Sequence, residues 1–341
     1  MKKGTLFLIT LFSLSCTSHR SFFPKDLPKC EVQVVRFDSA LLNIDTTNIS
    51  AYVRQLYTDY SSFMPTFCQD ILGIDIEDTT YLTQALPLFL NDTLYGFKQT
   101  NQKAKEVFDD ITSIKKELNI AFARILYLYP QTRIPDIMFF VSGFNASILF
   151  YNPNPDNYLE EDIAVGVDMY LGSDWEYYNQ VVYNYQKQTM RKECIPADVV
   201  SAWLFRNIPF ESKKNRLIDN MIYRGKIMYL LSLLLPMETE AEVMGYSKQQ
   251  WQWAKKYEAA IWKLMLDKQD IYKTDSPVLT SYLNDGPFTA EISQESPPRL
   301  GTYIGWQIAK SYIENNKSVT LTQLLEENDA QKILEKSHYK P

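Results

Sequence analysis

The sequence predicts an α+β fold that is mainly α-helical, with a small mixed β-sheet packed on a helical body, and three observations carry that expectation. The first is Leu217 to Pro236, LIDNMIYRGKIMYLLSLLLP, about five helical turns in which nearly every face is apolar. A helix apolar all round is buried, so this segment is the expected centre of the molecule. The second is another apolar segment, Pro297 to Ile313, which opens with Arg299 and is the expected packing partner of the first. The third is that the alternating stretches that read as strands are short and few.

Glu31 to Asp38 alternates Val32, Val34 and Phe37 with polar neighbours and reads as the first strand. Ile49 to Tyr60 and Thr79 to Leu90 are short amphipathic helices separated by the Pro65 and Gly73 breaks, and Asp109 to Tyr129 is a longer helix ended by Pro130. Ile134 to Phe144 and Ala146 to Tyr151 read as strands paired with one another around Gly143 and Asn145. The polar loop Asn152 to Asp162 is rich in oxygen ligands. It lacks the glycine and the regular acidic spacing of a calcium loop, so a solvated loop is the expectation. A third strand, Ile163 to Val167, runs into Asp168, whose position at a strand end suits capping or function.

Ala197 to Arg206 is the helix before the central one. Pro236 stops the central helix, because the ring removes the next backbone donor. Ser247 and Gln250 then form a capping box, opening a helix on which Trp251, Ala254, Glu258, Ile261, Trp262 and Met265 share one face. From Leu321 one more short helix closes the chain. There is no internal repeat and no low-complexity linker, so residues 31–341 read as a single domain.

At 341 residues and 45% hydrophobic the chain can bury a substantial core. An aromatic content of 14% with only 11 Gly suits a helix-rich domain better than a turn-rich sandwich. Residues 1–15, with MKK ahead of an apolar Leu6 to Leu14 stretch and Ser15, read as a lipoprotein signal peptide. Cys16 is then the expected acylated N-terminus, and residues 16–30 the tether that lets the body stand off the membrane. Removing the signal leaves 33 basic and 41 acidic residues, a charge of −8, with no basic stripe for nucleic acid. Cys30, Cys68 and Cys194 are too widely spaced for a metal cluster and read as buried thiols or one bridge.

Histidine is confined to His19 and His338. An HExxH zinc site needs two histidines one helical turn apart, and the common serine and cysteine triads need a histidine base, so neither chemistry is encoded in the body of the fold. No metal or organic cofactor is expected; the one covalent group is the diacylglycerol and acyl modification of Cys16. What remains is a charged set inside apolar helices: Asp168, Asp219, Arg224, Lys226, Glu258 and Arg299. Buried opposite charges pair, so the set reads as an ion-pair network, with Glu258 bonded to a buried cation. Trp251, Trp262, Tyr303 and Trp306 are candidate walls of a ligand or partner groove, although aromatic stripes at helical spacing are more often core.

Several landmarks together resemble the GldB-type gliding-motility lipoproteins of Bacteroidetes. They are the lipobox at Cys16, VVRFD, VDMYLG from Val167, MIYRGKIMY from Met221, WAKKYEAAIW from Trp253, PPRLGTYIGW from Pro297 and the terminal SHYKP. The resemblance implies an envelope lipoprotein linked to the gliding apparatus and a fold related to zincin-like peptidases. It places the metal-binding helix at Val199 to Phe205, which has no ligand, and Arg224 where relatives tend to have Glu, the marks of a degenerate scaffold that has lost its metal. Two functions follow as alternatives. One is a non-catalytic accessory or scaffold lipoprotein docking on envelope partners, at the periplasmic face of the outer membrane. The other is a periplasmic peptidase-like hydrolase with an unrecognised, metal-free site.

Overall fold

The computed structural model describes residues 21–341 apart from 45, 155, 156, 158 and 159. The signal peptide, Cys16 and part of the polar loop expected at Asn152 to Asp162 lie outside the described residues. Strands β1 (Val34–Arg36), β2 (Ile137–Phe140), β3 (Ile148–Tyr151) and β4 (Asp162–Gly166) form one mixed sheet in the order β1-β2-β4-β3. β1, β2 and β4 run parallel, and β3 is antiparallel to β4.

The sheet separates two cores. Ile137, Phe139, Ile163 and Val165 face the larger one, built from the helices Thr112–Leu128, Ile195–Asn207, Leu217–Leu234 and Leu300–Asn315. Met138, Phe140 and Ala164 face a smaller, phenylalanine-rich core under the helices Phe37–Leu42, Ile49–Asp59 and Thr79–Asn91. Burial on both faces explains why β2 reads as IMFF without alternation.

β2 and β3 do not pair with one another, because β4 lies between them. The ends of β2 and β4 are tied together by Asp168, just past the end of β4. Its carboxylate accepts the Ser142 N–H (2.7 Å), the Ser142 hydroxyl (3.0 Å) and the Phe144 N–H (2.7 Å). Gly143 and Phe144 both have φ near +60°, a tight turn that brings the Ser142 and Phe144 amides to one carboxylate. The chain leaving β2 is thereby fastened beyond β4 and returns on its far side. β1 is also shorter than expected: Phe37 and Asp38 open a helix, and Asp38 is bound by the Arg36 guanidinium at 2.8 Å.

The Leu217–Leu234 helix is the centre of the larger core, as expected, and packs along the Leu300–Asn315 helix. Ser247 and Gln250 form the predicted capping box at the head of the Lys248–Asp267 helix. The tail carries two short helices rather than one, Leu321–Glu326 and Ala330–Ser337. The expected tether is partly absorbed by the body. Phe22 packs edge-on against Tyr229, and Phe23 packs against Tyr127 beneath the Arg124 guanidinium. Cys30, Cys68 and Cys194 are free thiols. Among the described residues no helix is long and apolar enough to cross a membrane.

Candidate functional site

A cavity of about 780 Å³ opens where the larger core meets the loops beyond the sheet. Three helices build its walls by helical periodicity. The Ile195–Asn207 helix, started by Pro196 in its first turn, presents Asp198, Ser201, Ala202 and Phe205 at spacings of three and four. The central helix presents Arg224, Met228 and Leu231 in the same way. The third wall is the head of the Leu300–Asn315 helix, with Arg299 as its N-cap and Thr302 one turn on.

Arg299 adopts a left-handed backbone, φ +58°, which turns its side chain into the cavity edge. Its guanidinium donates to the Met244 carbonyl and lies 2.9 Å from Asp285. Gly245 sits beside that guanidinium at φ +70°, a left-handed backbone that favours glycine. Arg224 donates one N–H to the Leu283 carbonyl at 2.8 Å and has no carboxylate within 4 Å among the described residues. Enclosure lowers its pKa, and the neighbouring Arg299 charge acts in the same direction.

Across the cavity Asp198 accepts the Tyr170 hydroxyl at 2.8 Å. Enclosure raises its pKa to about 6, against the opposing pull of that hydrogen bond and of Arg299. The Cys194 thiol on the same wall is pushed up to about 12 by burial, which makes it a poor nucleophile at neutral pH. The Thr302 hydroxyl, on a residue 3% exposed, has no hydrogen-bond partner.

Of the charged and aromatic candidates singled out from sequence, Arg224 and Arg299 alone line this cavity. Asp168 holds the turn after β2. Asp219 is bound by Arg216 (2.9 Å) and caps the central helix. Lys226 donates to the carbonyls of Leu325 (2.9 Å) and Glu327 (2.7 Å), and its enclosure lowers its pKa to about 8. Glu258 is bonded to no cation. It accepts the hydroxyls of Tyr303 (2.6 Å) and Tyr339 (2.9 Å). The expected ion-pair network is therefore a set of separate local contacts: Asp168, Arg224, Lys226 and Glu258 find neutral donors or carbonyls, while Asp219 and Arg299 pair with charges outside the set, Arg216 and Asp285.

The four aromatics pack rather than open a groove. Trp251 meets Tyr303 edge-on and tilts against Trp306, both about 1% exposed, while Trp262 lies edge-on to Tyr339. Sequence reasoning passed over Asp198, Tyr170 and Thr302. The one available signal was an acid among apolar neighbours in IPADVVSAWLF, which reads equally well as an acidic residue in a helix first turn.

No three His, Cys, Asp or Glu side chains among the described residues gather as a metal site requires. Compared with known proteins, the chain matches no curated protein and no solved structure. The family model described as gliding motility protein GldB matches residues 24–341, which takes in both cores, the sheet and every wall of the cavity. The chain belongs to the GldB family of gliding motility proteins.

Proposed function

We propose that the chain is a non-catalytic accessory lipoprotein of the gliding machinery, anchored in the envelope through an acylated Cys16, which holds a partner at its cavity. The observation that carries this reading is the Arg224 and Arg299 pair at the cavity head. Two fixed guanidinium charges disfavour a cation at this end of the cavity and suit an anionic partner group. The packing of Phe22 and Phe23 supports the anchored arrangement. Only residues 17–21 separate Cys16 from the packed body, a reach of roughly 18 Å at full extension. The periplasmic face of the outer membrane is the assigned site, with other envelope or gliding proteins as partners.

The test is crosslinking co-purification from native envelopes, with Cys16→Ala as the control. A discrete partner set that depends on the anchor is the expected result; an empty or anchor-independent set overturns the reading. A second reading, a metal-free hydrolase, is favoured by Asp198, an enclosed acid near pH 6 beside Tyr170. It requires turnover of envelope peptides or glycans that Asp198→Asn abolishes with the fold intact. Glu258, outside the cavity, would have no part in it.

A further inference from the structure

We infer that the cavity receives the C-terminal end of a peptide, the terminal carboxylate on Arg224 and Arg299 and the last backbone amides on Asp198 and its polar neighbours. The inference rests on the reading of the cavity as a partner site and names the part of the partner that enters it.

The basic pole is the first argument. Arg224 is a half-buried guanidinium with one N–H on a carbonyl and no carboxylate beside it, so its remaining donors face the cavity. A planar fork of this kind matches a carboxylate with two parallel bonds. Arg299 is itself paired with Asp285 and the Met244 carbonyl, so Arg224 is the main anchor and Arg299 a flanking charge; one helical turn on, the Thr302 hydroxyl, unpartnered among the described residues, adds a neutral donor to the same end.

The rest of the cavity decides which anion fits. A volume of about 780 Å³ is far larger than a phosphate or acetate needs and suits a few residues of chain. The Asp198 carboxylate, on a separate wall of the same cavity, is an acceptor that suits a backbone N–H group, whereas the Gln250 oxygen is already taken by the Gln188 amide and the Ser247 N–H. Met169, Phe205, Met228 and Leu231 line the space between, as side chains of a peptide would require. A fatty acid has the carboxylate but no donor for the Asp198 carboxylate. An inorganic anion has neither donors nor apolar bulk.

The experiment uses the protein purified from envelopes in detergent and a pool of random fluorescent hexapeptides with free C-termini, measured by anisotropy. The same pool capped as C-terminal amides, inorganic phosphate and palmitate serve as the other arms. Free-acid peptides are expected to bind at least tenfold more tightly than the amides. Arg224→Met should remove that difference, and Arg224→Lys should keep part of it. Should Arg224→Met melt early, Ser201→Phe fills the cavity without changing charge and must abolish binding. No peptide binding, indifference to amidation, or equal competition by phosphate or palmitate overturns the inference. Anchored partners without peptide binding would remove the inference and leave the accessory reading standing; peptide binding with an empty pull-down would do the reverse.

Discussion

Gly225 and Gly305 meet backbone to backbone where the two most buried helices cross. A Cβ on Gly225 would lie 2.0 Å from the Gly305 carbonyl carbon, and a Cβ on Gly305 would lie 1.8 Å from the Met221 oxygen. Both distances are far inside van der Waals contact, so neither helix can accept even a methyl group without moving away. That crossing also sets the separation of Arg224 and Thr302, which flank it on the cavity side.

Gly225→Ala and Gly305→Ala are therefore each expected to destabilise by about 1–3 kcal/mol or more through overpacking. In an open helix the same change stabilises by about 1 kcal/mol, so the sign alone is informative. Gly286→Ala is the control, since its Cβ would meet nothing closer than 3.6 Å. Equal melting temperatures for all three variants would sink the argument.

Lys226 ties the central helix to the tail. Its two bonds to the Leu325 and Glu327 carbonyls are charge-assisted, worth about 1.5–3 kcal/mol each. Against them stands the burial of the ammonium, which is large enough to depress its pKa from 10.5 to about 8. Lys226→Met removes both, so the global loss is expected to be up to about 3 kcal/mol. The loss should concentrate in the tail, where faster amide exchange over 321–337, but not over the Thr112–Leu128 helix, is the measurement.

Asp198 makes stability depend on pH with a known sign. Its folded pKa is raised to about 6 from an ordinary 3.8, so the unfolded chain ionises first as pH rises. The group contributes no penalty below pH 4. The penalty grows between about 4 and 6 and is full above 6, at up to about 3 kcal/mol. Asp198→Asn keeps an acceptor for Tyr170 and removes the charge. Its melting temperature is expected to equal the parent's at pH 4 and to exceed it at pH 7.5; a variant less stable at pH 7.5 would contradict this.

Glu258 joins the Lys248–Asp267 helix to Tyr303 on the buried helix and to Tyr339 near the C-terminus. Glu258→Ala is expected to lower the melting temperature by leaving two tyrosine hydroxyls without their acceptor, one of them almost wholly buried. In a double-mutant cycle with Tyr339→Phe, a coupling of about 1 kcal/mol or more is expected, and strict additivity would deny the contact.

The positions of the longest helices were legible in the residues themselves, whereas Phe97–Val107 and Ser276–Leu283 were not read as helices. Apolar spacing marked Leu217–Leu234 and Leu300–Asn315, the Ser247 and Gln250 box marked the head of Lys248–Asp267, and prolines marked the ends. Those signals are local, because a helix closes its bonds within four residues. Strand order was not legible: β2 and β3 are neighbours in sequence, yet β4 separates them, with Asp168 bonding Ser142 and Phe144 across the ends of β2 and β4, a contact between residues more than twenty apart. Nor could the sequence choose partners for charges. Lys226 finds Leu325 99 residues away and Glu258 finds Tyr339 81 residues away. The cavity is the extreme case, since Asp198, Arg224 and Arg299 come from three helices and share no spacing. Helix formation is decided by short-range periodicity and caps, whereas the meeting of side chains is decided by how closely whole helices pack, here by two glycines at one crossing.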